Sequence, residues 1–145
     1  MNIVQVSLEP PMLELAVMVY TESWRASHEG ICTPEFLRSR DCAGYLAGEL
    51  AAGKALYLLL DEGPVGVVSL HNGWIDNLYI LPRCQGMGYG TALLRFAMAQ
   101  GGWRLSVLSS NTRAIGLYEK HGFSVSGRKA LRENLWELTM EKRHD

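Results

Sequence analysis

What this sequence lacks already narrows its class. Its three cysteines, Cys32, Cys42 and Cys84, are too few and too scattered for a disulfide framework or a paired metal-ligating motif. They read as free thiols of a reducing compartment, and no metal is expected. Charge of one sign is also missing: 14 Lys+Arg against 15 Asp+Glu leave a net charge of −1. No broad basic field is available to hold nucleic acid or an anionic membrane, and neither is expected as a partner. No apolar run approaches the roughly 20 residues of a membrane span. The first ten residues lack the basic and apolar regions of a signal peptide, so the expected location is cytoplasmic. No repeat, low-complexity stretch or linker divides the chain, which reads as one domain over residues 1–145. What is present, 48% hydrophobic and 20% charged residues, is the composition of a folded domain with its own core.

Periodicity and turn residues order the elements. Ile3–Val6 reads as a short strand. Pro10 and Pro11 open a helix to about Trp24, with Leu13, Ala16, Val17 and Tyr20 on one face. Arg25–Cys32 reads as a loop. Thr33 caps a helix that has Pro34 in its first position, and a further helix covers Ala43–Ala52. Three strands follow, Ala55–Leu60, Val65–Leu70 and Trp74–Leu81, separated by Asp61-Glu62-Gly63 and His71-Asn72-Gly73. A glycine-rich loop leads to a helix from about Thr91 to Gln100. Leu105–Leu108 is a strand, Asn111–His121 a helix stopped by Gly122, and Phe123–Gly127 and Leu135–Met140 are the last strands. The order β-α-α-βββ-α-β-α-ββ predicts an α/β or α+β protein with mixed strand directions.

Two stretches carry chemistry. Gln85-Gly86-Met87-Gly88-Tyr89-Gly90 lies between a strand and a helix. Glycines there let backbone N–H groups converge, and the helix adds its own free N–H groups and positive dipole end, a cradle suited to phosphate. The loop has no lysine for a nucleotide P-loop, and Thr91 stands where a dinucleotide fingerprint needs its third glycine. Its bland reading is a turn without a ligand. Downstream, Asn111-Thr112-Arg113-Ala114-Ile115-Gly116-Leu117-Tyr118-Glu119-Lys120-His121-Gly122-Phe123 places Ala114, Leu117, Tyr118 and His121 on one helical face. Asn111 reads equally as a simple cap, and Tyr118 as a core aromatic.

Together and in this order the two stretches resemble the GCN5-related N-acetyltransferases. Gln85-x-x-Gly88-x-Gly90 after Leu78-Tyr79-Ile80-Leu81-Pro82 is similar to the family's acyl-CoA loop. Asn111-x-x-Ala114-x-x-x-Tyr118-x-x-x-Gly122-Phe123 is similar to its second motif. The resemblance is close over about residues 55–130; before that it rests on element order and on Trp24–Leu37. It implies a mixed, mostly antiparallel sheet of six or seven strands, with splayed parallel strands at its centre and four or five helices. It also implies acetyl-CoA as co-substrate. The backbone of Gly86, Met87, Gly88, Tyr89, Gly90 and Thr91 would hold the pyrophosphate beside Gln85. Leu78, Tyr79 and Ile80 would pair with the pantetheine arm, a backbone N–H near Ile80 would face the thioester carbonyl, and Asn111 would contact the cofactor.

The implied reaction is direct attack of a primary amine on the thioester in a ternary complex. Tyr118 occupies the family position of the acid that protonates the leaving thiolate. A phenol with a pKa near 10 can serve a thiol with a pKa near 8.5. The base is open. The carboxylate that some members carry on the strand before Asn111 is replaced here by Ser106. Asp76, placed by alternation with Trp74 and Leu78, is preferred, unless a bulge reverses the face. His71, at a turn, His28, in the substrate loop, and a water chain are the alternatives. Trp24, His28, Glu29, Ile31 and Phe36 are candidates for the acceptor wall, with ordinary helix packing as their bland reading. Arg83 reads either as a phosphate contact or as a solvated charge, and Cys84 as a loop residue without redox role. The acceptor is an amine on a small molecule or a protein. A homodimer is also an expectation of the resemblance, since small domains of the family often pair through sheet edges or helices, and the final strands, Phe123–Gly127 and Leu135–Met140, offer such edges. The competing readings are a non-catalytic acyl-CoA-binding sensor and an unrelated phosphate-ligand protein.

Overall fold

A computed structural model describes residues 1–143. The strands are β1 (Asn2–Val6), β2 (Ala55–Leu60), β3 (Pro64–His71), β4 (Trp74–Ile80), β5 (Arg104–Leu108), β6 (Phe123–Arg132) and β7 (Leu135–Lys142). The helices are α1 (Met12–Ser27), α2 (Pro34–Ser39), α3 (Cys42–Ala51), α4 (Tyr89–Ala99) and α5 (Thr112–Lys120). The strands form a seven-stranded sheet in the order β1-β2-β3-β4-β5-β7-β6. β4 runs parallel to β5, whereas β1–β2, β5–β7 and β6–β7 are antiparallel. The mixed α/β class agrees with the sequence-based expectation; three helices, as the separate segments indicate and not the two of the condensed order, precede β2.

The chain gathers into two compact units, Met1–Ser69 with Asn77–Leu94, and Leu70–Asp76 with the chain from Arg95. In the first, α1 and α3 bury Ala16, Val19, Tyr20, Trp24, Cys42 and Leu46 in one cluster with Leu56, Leu58, Val67 and Leu81. Fully burying each Leu- or Val-sized side chain contributes about 1.5–3 kcal/mol. The inward face of α1 is Ala16, Val19, Tyr20, Ser23 and Trp24, turned from the expected one. Leu13 and Val17 are only partly buried at its margin. The helix also continues through Ser27, so the predicted loop starts three residues late. Thr33 caps α2 by accepting from the Phe36 N–H at 3.2 Å, as its sequence announced. Asp41 caps α3 by accepting from the Gly44 N–H at 2.8 Å.

In the second unit, β4 pairs with β5 through Trp74↔Arg104 and Ile75↔Leu105. Asn72 and Gly73 form the two-residue turn from β3 to β4 with φ of 48° and 81°. Positive φ at both central positions is the hairpin turn that Asn-Gly favours. The Arg104 guanidinium lies over the rings of Trp74 and Trp103 at 4.6 and 4.8 Å. It donates from Nη2 to the Asn72 carbonyl at 2.9 Å, which ties the turn to β5. β6 runs five residues beyond its predicted end at Gly127. It is the outer strand beside β7, exposed over most of its length, so no apolar alternation marks its second half. That half is held by ladder pairs such as Ala130↔Trp136 and by Arg128 over the Trp136 ring at 4.5 Å.

Candidate active site

The first unit carries the glycine loop. After β4, Leu81 is fully buried and Pro82–Cys84 make a single tight turn. The Gln85 side chain donates from Nε2 to the Ile80 carbonyl at 3.2 Å, fastening the start of the loop to the end of the strand. Gly86 and Gly88 have φ of 80° and 88°. These left-handed conformations favour glycine, and a Cβ on Gly88 would meet nothing within 4 Å. The backbone at Gly88 is therefore open to a ligand. α4 begins at once, at Tyr89, two residues earlier than its predicted start. The N–H groups of its first turn have no partners within the helix, and its dipole end is positive. A pyrophosphate fits this loop by charge, by donor supply and by room. The Tyr89 hydroxyl donates to Asp61 Oδ2 at 2.6 Å, which holds the helix start against the β2–β3 turn. The same bond pushes the Tyr89 pKa up, so the hydroxyl remains a donor. Arg83 pairs with Glu22 at 2.9 Å on the exposed surface, which engages the charge that was one candidate for a phosphate.

The strand feeding this loop is irregular. Asn77 has φ of 52° in the middle of β4, the local geometry of a bulge. A left-handed residue between Asp76 and Leu78 interrupts the regular alternation on which the expected common face of Trp74, Asp76 and Leu78 rests. The reason is local: Asn adopts the left-handed conformation more readily than other non-glycine residues. Its side chain is held by its neighbours. Nδ2 donates to the Tyr45 hydroxyl at 3.2 Å and lies 3.3 Å from Ser69 Oγ. Tyr45 in turn donates to Glu49 Oε1 at 3.0 Å, and Lys54 pairs with the same oxygen at 2.9 Å.

An aromatic cluster lies beside this stretch of β4. Tyr20 stacks on Tyr45 with centroids 5.4 Å apart and meets Tyr79 edge-on at 5.6 Å. Trp24 stacks on His28 at 4.4 Å and tilts against Phe36 at 6.1 Å. Arg40 lies over Trp24, Tyr45 and Tyr20 at 4.2, 4.7 and 5.4 Å, and its Nη1 donates to the Tyr20 hydroxyl at 2.6 Å. Burial pushes up the pKa values of Tyr20, Tyr45 and Tyr79, so these phenols stay neutral. Burial also lowers that of His28. His28 Nδ1 lies 2.8 Å from the Trp24 carbonyl. The Ser27 hydroxyl lies at the same distance, 2.8 Å, from Nδ1, so two oxygens fix the orientation of the ring.

Of the expected acceptor-wall residues, Trp24, His28 and Phe36 are brought together. Glu29 and Ile31 lie in the connection between α1 and α2. Sequence reasoning missed Tyr20, Arg40 and Tyr45 as members of this cluster. Tyr20 and Trp24 share a helical face, which was a usable signal; no local spacing links them to Arg40 or Tyr45.

The second unit holds Asn111, Tyr118, Asp76 and His71. Asn111 Oδ1 accepts from the Ala114 N–H at 3.2 Å and caps α5. Tyr118 is buried on α5, with its ring edge-on to Phe123 at 6.2 Å. Asp76 is half-buried in β4, directly before the bulge. His71 Nε2 lies 3.1 Å from the Asn72 side-chain amide. Among the described residues, no group of His, Cys, Asp or Glu is arranged to hold a metal.

β4, the glycine loop and the N-terminus of α4 follow one another in this order, with a left-handed residue in the strand before the loop. The acetyltransferase (GNAT) family model matches residues 10–123, and the chain belongs to that family. It is similar to the peptidyl-lysine N-acetyltransferase YjaB of Salmonella typhimurium, with 39% identity over 68 residues, 46% of this chain and 47% of that protein. It is also similar to the protein of the same name from Escherichia coli, with 36% identity over 68 residues and 46% of either chain. Each match thus spans about half the length of the curated relative. Among solved structures, apo YjaB of Escherichia coli aligns with a TM-score of 0.70 at 24% identity, covering 97% of this chain and 95% of that one. The PaiA N-acetyltransferase of Thermoplasma acidophilum, solved with coenzyme A, gives 0.70 at 22% identity, covering 99% and 100%. At these identities the structures establish the shared fold.

Proposed function

We propose that this protein is an acetyl-CoA-dependent N-acetyltransferase that transfers the acetyl group to a primary amine by direct attack in a ternary complex. The observation that carries the reading is the loop with left-handed Gly86 and Gly88, open at the Gly88 backbone and running straight into α4 after β4. The loop N–H groups from Gly86 to Thr91 hold the pyrophosphate. The backbone of Leu78, Tyr79 and Ile80 aligns the pantetheine arm, and a donor near Ile80 stabilises the charge that develops on the thioester oxygen. Asn111 contacts the cofactor. Tyr118 protonates the departing thiolate.

A lysine amine of pKa near 10.4 is neutral in only about one part in 2500 at pH 7, so a base matters. His28 has two features of a base: burial favours its neutral ring, and its Nδ1 is held in place by the Trp24 carbonyl and the Ser27 hydroxyl. Asp76, at the bulge, is the other candidate. His71 is less suited, because the Asn72 amide donates toward its Nε2. The names of the relatives support a polypeptide lysine as acceptor.

Calorimetry with acetyl-CoA, on wild type and on Gly88→Trp shown to be folded, tests the loop. Saturable binding that is lost in the variant is expected. Transfer to a panel of lysine peptides, with Tyr118→Phe alongside, tests the chemistry. The variant is expected to keep its acetyl-CoA affinity and to lose about 10²-fold or more in kcat, the usual scale of acid catalysis. Binding without transfer to any amine would leave an acyl-CoA sensor as the reading.

A further inference from the structure

The aromatic cluster contains a charge that the protein itself does not neutralise. Arg40 is held on its faces by three aromatic rings and at Nη1 by the Tyr20 hydroxyl, with Cys42 Sγ 3.8 Å from the same nitrogen. Among the described residues no carboxylate pairs with it. The acids nearby in the chain or the network are engaged elsewhere: Asp41 caps α3, Glu49 pairs with Lys54, and Glu22 pairs with Arg83. The phenols around it stay neutral, because burial holds their pKa values up. The hydrogen bonds of the guanidinium all leave from Nη1. Its Nε–Nη2 edge, which offers two parallel N–H groups, is left for a partner, and the side chain is only partly buried.

This arrangement resembles a prepared anion site more than a packing device. Aromatic rings offset part of the desolvation of a guanidinium but supply no counter-charge. A fork held rigid by stacking loses little freedom when it binds a planar carboxylate at two points. Its place is also informative. Tyr45 joins the cluster to Asn77 and Tyr20 joins it to Tyr79, so the site abuts the part of β4 assigned to the pantetheine arm.

Resting on the transferase reading above, we infer that Arg40 is a specificity-determining residue that binds a carboxylate carried by the amine acceptor. That carboxylate is either the free carboxyl group of an amino acid or the side chain of an acidic residue next to the target lysine.

The two sources are separated by two pairs of probes, Nα-acetyl-lysine against its amide, and lysine peptides with Glu or Gln beside the lysine. Binding of each to the CoA-loaded protein is measured by calorimetry, and transfer by initial rates. In one pair or both, the carboxylate member is expected to bind about tenfold or more tightly, with the difference in KM and not in kcat, the scale of one charge-assisted pair. Arg40→Met, which keeps bulk and loses charge, is expected to erase the preference while acetyl-CoA affinity and fold remain. Arg40→Lys is expected to restore only part of it, because an ammonium lacks the fork. Equal binding of acid and amide in both pairs, or a preference that survives in Arg40→Met, overturns the inference. The binding arm reads Arg40 without any transfer, so loss of transfer to every amine would strike the function reading alone.

Discussion

Single side chains in this protein are placed under constraints of different strength, and Ser23 is the least well satisfied. It lies on the inward face of α1 at 3% exposure. Its hydroxyl has no hydrogen-bond partner among the described residues. A buried hydroxyl without a partner costs about 1–3 kcal/mol of desolvation. Ser23→Ala removes the oxygen, improves helix propensity and leaves a cavity no larger than one atom. The variant is expected to melt a few degrees above wild type, at roughly 2–4 °C per kcal/mol for a chain of this size. A lower melting temperature would show that the hydroxyl is satisfied, by water or otherwise. Arg104 Nε is buried and unpartnered in the same sense, but its side chain is fixed by two rings and a carbonyl, so removing it would cost packing as well.

At the scale of elements, β4 is the informative one, because its bulge is maintained by side chains. Asn77 both adopts the left-handed conformation and bonds to Tyr45, with Ser69 near the same amide. Two substitutions separate these contributions. Asn77→Gly keeps the conformation and loses the bonds, whereas Asn77→Ala loses the bonds and adds strain. Both are expected to weaken acetyl-CoA binding, Ala more than Gly, with Ala also lowering the melting temperature by the larger amount. Equal effects of the two on affinity and stability would mean that the left-handed backbone is not what matters.

The same element shows where sequence reading stops. β2 was legible to the residue, since a continuous apolar run between turn signals admits few alternatives. The Asn72–Gly73 hairpin was legible because its turn chemistry is specific. The bulge was not, since one Asn inside a strand pattern has no unique local meaning. The second half of β6 was missed for the opposite reason: an exposed outer strand needs no apolar alternation. In the site, the glycine loop could be read because its residues are contiguous. The Arg40 cluster could not, because it joins α1, the α2–α3 connection, α3 and β4 through contacts that no spacing encodes.

At the scale of the whole molecule, the ionisable groups of that cluster set limits on the pH range in which the fold is stable. Burial lowers the pKa of His28, so the folded chain keeps the ring neutral while the unfolded chain takes up the proton first. The stabilisation linked to His28 is present above about pH 6.5, the unfolded value, and is lost as pH falls through the lower folded value. The tyrosines work on the other side. Tyr20, Tyr45 and Tyr79 have raised values, chiefly through burial, so the unfolded chain ionises first on that limb. Their contribution is complete below about pH 10 and is lost as pH rises through the folded values. Melting temperature against pH is therefore expected to show a plateau bounded by an acid and an alkaline limb. His28→Gln is expected to flatten part of the acid limb and leave the alkaline limb in place. Tyr79→Phe, which removes an ionisable hydroxyl, is expected to flatten part of the alkaline limb alone. If His28→Gln left the acid limb unchanged, the histidine would be protonated alike in the folded and unfolded chain. Its neutral ring, and with it the case for His28 as the base, would then fall.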